Sequence, residues 1–193
     1  IDADFIAYPL AAMFNSFLLT YRDISLTVEM NADRVDLKLG EYDAAILIGA
    51  LQDNGLFQRK LGETTLCMVA SPHYLADFGW PKKIDDLTAH KLLLYAPSSA
   101  HIPASNRETR HIRSTGALNV NDSLSLLNAA ISGLGIAYLP SYIYADALKD
   151  GRIVDVMPRL PKNRQGIYIT YTPEQYLQPK LRALVEFVGQ HLD

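Results

Sequence analysis

The side chains of this chain that could ligate, attack or carry charge do not converge on one chemistry. His73, His90, His101, His111 and His191 show no H-x-H or H-x3-H spacing, and Cys67 is the single cysteine, so no metal set and no internal disulfide is expected. Surface or capping roles account for the histidines. Cys67 lies in the apolar run Thr65-Leu66-Cys67-Met68-Val69-Ala70 and reads as a buried core thiol. No G-x-S-x-G elbow is present, and Ser71 and Ser141, each beside a proline, read as helix starts. Asp2, Asp4 and Asp122 are the carboxylates at expected strand ends and helix starts, where paired acids can do acid/base work. Asp122 reads first as a helix cap, and Asp2 and Asp4 as loop residues, one of them a candidate for a pocket. Gly133-Leu134-Gly135 invites a dinucleotide reading, but there the glycines follow a strand and precede a helix, whereas here the order is reversed.

Behind these residues stands a pattern that occurs twice: polar cap, short helix, glycine stop, apolar strand. The first copy runs from Asn31 and Asp33 to Gly40 and then through Tyr42 to Gly49; the second starts at Asn121-Asp122, stops at Gly133 and passes through Gly135 to Pro140. A cap supplies an acceptor to free helix N–H groups, and glycine accepts the left-handed conformation that ends a helix. Two such units suggest two similar α/β lobes, whose ligands sit where strand ends meet helix N-termini.

Around them, residues 9–22 carry Leu10, Met13, Phe14, Phe17, Leu18 and Tyr21 at helical spacing, and Ile24, Leu26, Val28 and Met30 alternate as a half-buried strand does. Ala44 to Ile48 is apolar on both faces, as in a central parallel strand. A wound lobe needs a strand before its first helix, and only Ile1 to Ala3 are available, so the chain is expected to start inside it. Leu56–Leu61 and Thr65–Ala70 read as two extended segments around Gly62-Glu63, and Ala96–Glu108 as a long irregular stretch, of the kind often functional. Ile153 to Met157 and Ile167 to Tyr171 read as strands. Leu177, Leu181, Leu184, Val185, Val188 and Leu192 read as the apolar face of a closing helix.

The 193 residues suffice for one domain or two small lobes, and 49% apolar with 20% charged residues is close to the soluble globular average. No apolar run approaches the roughly 18 residues that span a bilayer, and no basic-then-apolar leader pattern is seen. The net charge of −3 argues against a nucleic-acid surface, which leaves a basic footprint. Arg107, Arg110 and Arg113 are the one candidate; they read as a solvated loop or subunit contact, because Ile112 to Val120 look more like a strand than a helix.

Taken together, FNSFLLTYRDISLTVEM, VDLKLGEYDAAILIG, LFQRKLGETTLCMVASPHYLADFG, LNVNDSLSLLNAAISGLGIAYLP, DGRIVDVMP and IYITYTPEQYLQPKLRALVEFVGQHL resemble, in order and spacing, the C-terminal effector-binding (substrate-binding) domain of LysR-type transcriptional regulators. The resemblance covers nearly the whole chain. It implies an α/β fold of two Rossmann-like subdomains joined by two crossover segments, like a type 2 periplasmic binding protein. Subdomain I would hold residues 1–69 and 170–193 and subdomain II residues 70–169, with crossings near Cys67–Ser71 and Ile167–Thr172. It further implies a cytoplasmic ligand sensor that is not an enzyme, needs no cofactor or metal, and binds a small-molecule effector in the cleft between the subdomains. Its other partner would be itself, as homodimer or tetramer, and DNA would be reached only through an N-terminal winged helix-turn-helix that nothing in this chain matches. Carried over by position, the effector contacts are Asp2, Asp4, Phe5, Asn31, Ala32, Ile48, Gly49, Pro97, Ser98, Ser99, Ala100, Asn121 and Asp122. Three positions depart from the family pattern: Asp2 stands where serine is often found, Leu47 replaces the arginine of A-I-R-I-G, and His101 to Asn106 replace a tryptophan near the long loop. A solute-binding protein of a transport system shares the fold but carries a secretion signal, and an enzyme on the same fold needs convergent catalytic groups that Asp2, Asp4 and Asp122 alone do not make.

Overall fold

The apolar spacing around Leu10 makes a helix whose buried residues are Leu10, Met13, Phe14 and Phe17, one stripe at i, i+3, i+4 and i+7. The computed structural model describes residues 10–29, 36–49, 55–95, 101–104, 108–111 and 117–191. In chain order the helices are α1 (Ala11–Thr20), α2 (Pro72–Phe78), α3 (Ser123–Ile131), α4 (Ser141–Lys149), α5 (Pro173–Tyr176) and α6 (Pro179–His191). The strands are β1 (Ala45–Ile48), β2 (Phe57–Ala70), β3 (Leu92–Tyr95), β4 (His101–Ala104), β5 (Glu108–His111), β6 (Leu118–Val120), β7 (Ile136–Pro140), β8 (Val154–Asp155) and β9 (Asn163–Tyr171). They fall into two compact units, Ile1–Thr64 with Gln165–Asp193, and Thr65–Arg164. The chain passes from one unit to the other twice, within β2 and within β9.

In the first unit, α1 packs on α6, whose Leu181, Val185 and Val188 are buried at i, i+4 and i+7, and the rings of Phe17 and Phe187 lie 5.4 Å apart. Fully burying side chains of this size contributes roughly 1.5–3 kcal/mol each. α1 ends at Thr20, so Tyr21 is its C-cap rather than part of the helix, yet its ring stays 4.9 Å from Phe17. Ile24, Leu26 and Val28 are half-buried and alternate with exposed neighbours as expected, but no described strand pairs with them. They line a cavity of about 380 Å³ together with Phe14, Ile46 and Leu181. The glycine stop before β1 is present: Gly40, at φ 77°, closes a 3-10 turn, Leu37–Leu39, capped by the Asp36 carboxylate, which accepts from Lys38 N at 3.0 Å. β1 pairs antiparallel with β9 among the described residues, in the register Ala45 with Thr170 to Ile48 with Ile167, and Leu47 is exposed. The apolar run had suggested a parallel strand covered on both faces.

The second unit is a three-layer arrangement around strands in the order β2-β7-β3-β6. β3 is parallel to both β7 and β6, while β7 and the short β8 are antiparallel to β2. Alternate residues of one strand serve opposite cores. Cys67, Val69 and Leu93 face Leu126, Leu127, Ala130 and Ile143 of α3 and α4, whereas Met68, Ala70 and Leu92 face Tyr74, Leu75 and Leu87. β2 is one strand of 14 residues, not two segments around a turn: Gly62 is not among the positive-φ glycines, so the backbone stays extended through it. The stretch Ala96–Glu108 is not wholly irregular either, because β4 and β5 form a hairpin that pairs His101 with His111 and Ala104 with Glu108. Arg110 therefore sits on β5, while Arg107 and Arg113 lie outside the described residues. Between Tyr171 and α6, Thr172 and Gln175 form a capping box that starts α5, and Leu177, expected on the face of the closing helix, is 78% exposed before α6 begins. The sole tryptophan, Trp80, follows α2 and is 54% exposed.

The second cap-helix-glycine-strand copy forms as its sequence dictates. Asp122 accepts from Leu124 N at 3.3 Å and from Ser125 N at 2.8 Å, satisfying two of the free N–H groups of α3. Gly133, at φ 78°, follows the C-cap Ser132, and Gly135 carries the chain against the start of β3, where Ile136 N donates to Lys91 O at 2.9 Å. A Cβ at Gly135 would run into the Lys91 carbonyl oxygen, a backbone atom with nowhere to move. We predict that Gly135→Ala lowers stability to urea by about 1–3 kcal/mol through this overlap. Asp122→Ala is expected to cost about 1 kcal/mol by the same measurement, and Asp122→Asn, which keeps a cap acceptor, only a fraction of that.

Candidate functional site

The contacts inferred from the sequence fall at strand ends and helix starts. Asp2, Asp4, Phe5, Asn31, Ala32, Pro97, Ser98, Ser99 and Ala100 lie outside the described residues. In the second unit, β3 and β6 run parallel with Tyr95 opposite Val120, so both reach their carboxyl ends at one edge of the sheet. Asn121 and Asp122 follow immediately after Val120, at the position where open α/β sheets bind ligands. Asn121 is exposed. The Asp122 carboxylate is turned to its own helix, with both oxygens accepting from α3, and is only partly open to solvent. Its first role is structural, as the cap reading had it.

In the first unit, Ile48 and Gly49 close β1 next to the other strand in which the chain changes unit. Gly49 takes φ 108°, a conformation that favours glycine, and its N–H donates to Gly166 O of β9 at 2.9 Å. Among the described residues, a Cβ at Gly49 would have the side-chain oxygen of Gln165 within 4.0 Å. The facing Gly166 has no such freedom, since a Cβ there would run into the ring of Tyr168. Sequence reasoning missed Gln165 and Tyr168, because their nearness to Gly49 follows from the β1–β9 register and no local motif announces it. None of Ile48, Gly49, Asn121 and Asp122 lines the cavity under α1.

The other reactive side chains are engaged structurally. Cys67 is a buried free thiol; its sulfur receives a hydrogen bond from Lys162 Nζ at 3.2 Å and lies 3.6 Å from Asp155 Oδ2, and Lys162 also pairs with Asp155. Burial works against the Lys162 charge, but the hydrogen bonds to Asp155 and Cys67 outweigh it and hold the ammonium above its ordinary pKa. Burial, helped by Cys67 and Asp155, pushes the Tyr144 phenol up as well. His73 is a surface residue 3.7 Å from Asp77, and His90 Nδ1 lies 3.2 Å from the buried Tyr74 hydroxyl, with burial lowering the His90 pKa. Among the described residues, no three His, Cys, Asp or Glu side chains gather to hold a metal ion, and no helix is long and apolar enough to cross a membrane.

Comparison with known proteins agrees with this architecture. The family model of the LysR substrate binding domain matches residues 1–193. The chain is 31% identical over 180 residues to the uncharacterized HTH-type transcriptional regulator YhjC of Escherichia coli K12, covering 91% of this chain and 60% of that protein. It is 30% identical over 187 residues to an uncharacterized HTH-type transcriptional regulator of Haemophilus influenzae, covering 95% and 65%. Among solved structures it is similar to the regulatory domain of AphB in Vibrio vulnificus, at 30% identity and a TM-score of 0.80 over 95% of this chain and 92% of that one. It is also similar to the full-length virulence activator AphB of Vibrio cholerae, at 27% identity and a TM-score of 0.82 over 97% and 65%. The chain thus spans 60 to 65% of the length of the two curated relatives, which are transcriptional regulators and not enzymes. With its two α/β units and the whole of its length matched, the chain belongs to the LysR substrate binding domain family.

Proposed function

We propose that this chain is the effector-sensing part of a cytoplasmic LysR-type transcriptional regulator. The observation that carries the proposal is the family match over residues 1–193, with relatives that are HTH-type regulators of greater length. In this reading a small molecule is held by Asp2, Asp4, Phe5, Asn31, Ala32, Ile48, Gly49, Pro97, Ser98, Ser99, Ala100, Asn121 and Asp122. DNA is contacted by a helix-turn-helix domain outside this sequence, and the chain associates with its own copies as a homodimer or tetramer. The net charge of −3 fits a part that leaves DNA to another domain.

The physics required is modest. An effector shifts the population between two arrangements of the sensor by the difference in its affinity for them. A coupling of about 1–3 kcal/mol changes the affinity of a linked site by roughly 5- to 150-fold, enough to alter how attached DNA-binding heads are presented. Asn121, exposed at the end of β6, offers an amide to the ligand while Asp122 secures the helix behind it.

A thermal-shift screen of small metabolites against the chain is expected to find a ligand that raises its melting temperature. Saturation at one hundred times Kd stabilises by about 2.7 kcal/mol. Asn121→Leu and Ser98→Leu are each expected to abolish that rise while leaving the ligand-free melting temperature in place. A ligand-dependent shift of unchanged size in both variants refutes the contact assignment.

A further inference from the structure

The register of the β4–β5 hairpin brings together two residues that sequence spacing keeps apart. Nine residues, 102–110, separate His101 from His111, so no H-x-H or H-x3-H motif contains them, yet the ladder sets the two directly opposite one another. Directly opposed residues of an antiparallel pair share a face of the ladder, with Cβ atoms about 4.5–5.5 Å apart. Two imidazoles at such a separation can share one metal ion, as two histidines one turn apart on a helix do. The rest of the hairpin leaves room for a cation. Residues two apart on a strand lie on the same face, so Pro103 and its partner Thr109 accompany the histidine pair and add no charge to it. Arg110, opposite Ile102, belongs to the other face, as does Glu108 opposite Ala104.

We propose that His101 and His111, juxtaposed across the β4–β5 ladder, form a two-histidine site for a divalent transition-metal ion. Imidazole nitrogen suits Zn²⁺, Ni²⁺ and Cu²⁺, whereas Mg²⁺ prefers oxygen ligands. Two side chains are fewer than the three or four of a catalytic or structural zinc centre, and water completes the coordination. The histidines form the described pair furthest from the 105–107 connection, so the ion ties the two strands together at the open end of the hairpin. Its binding free energy is then also stability for the hairpin. This site is independent of the sensor reading above.

The test is a titration of the ¹⁵N-labelled chain with ZnCl₂, followed by calorimetry and at the imidazole ¹⁵N signals, with MgCl₂ as the control. A single equivalent of Zn²⁺ is expected to move the ring signals of His101 and His111 together, before those of His73, His90 and His191 respond. His101→Gln and His111→Gln are each expected to weaken Zn²⁺ binding about tenfold, and the double variant little further, because a shared ion is lost with either ligand. Should a variant fail to fold by circular dichroism, the ring signals of the parent chain decide. Zn²⁺ that moves only one of the two rings, or moves another histidine first, overturns the proposal. So do single variants that bind Zn²⁺ as tightly as the parent chain, losses that add up in the double variant, and an equal response to Mg²⁺.

Discussion

The sheet of the second unit is buried on both faces, and that constraint governs what surrounds it. Val69 and Ala70 are consecutive on β2 and wholly buried, yet they belong to different cores. A strand buried on both sides requires helices on both sides. The α3–α4 layer and the α2 layer are the two covers, and each must reach the sheet without exposing the ends of its helices. That is why the junctions carry so much of the design: Ser71 accepts from Tyr74 N to cap α2, Asp122 caps α3, and Gly135 brings the chain flat against Lys91. Residues suited to ligand contact stand at these same junctions, because strand ends and helix starts are where backbone polar groups remain available.

What was legible in the sequence was local. The stripe from Leu10 to Phe17, the Asp122 cap and the Gly133 stop each depend on residues within a few positions of one another, and all three form as read. The order of helix, glycines and strand also forms as read, since Gly133 ends a helix and Gly135 admits a strand. Long-range pairing was harder to see. Gly62-Glu63 looks like a turn until strand pairing holds it extended, and His101–Ala104 looks irregular until Glu108–His111 pairs with it. Leu177 fits the helical period by count, but the Thr172–Gln175 capping box uses the preceding residues for a separate turn. The same division runs through the site. Asn121 and Asp122 are visible as a cap motif, whereas Gln165 meets Gly49 only after β1 and β9 have found their register.

Asp122 shows how one residue limits the chemistry of its surroundings. A carboxylate whose two oxygens each accept from its own helix is held in place by that cap, keeps an acceptor site on each oxygen, and carries a charge that disfavours a nearby anion. Asn121, one position earlier and exposed, is the uncharged member of the pair.

The exposure of Trp80 has a practical side. As the sole indole of the chain, and already more than half in contact with water, it dominates the emission spectrum while reporting on the surface beyond α2. Unfolding will displace its emission maximum only slightly, and events at Gly49 or Asn121 reach it, if at all, through the rest of the fold. The buried phenols of Tyr74, Tyr144 and Tyr171 are held in fixed, asymmetric surroundings, so near-ultraviolet circular dichroism of the tyrosine band is the optical signal that follows the packed interior of this protein.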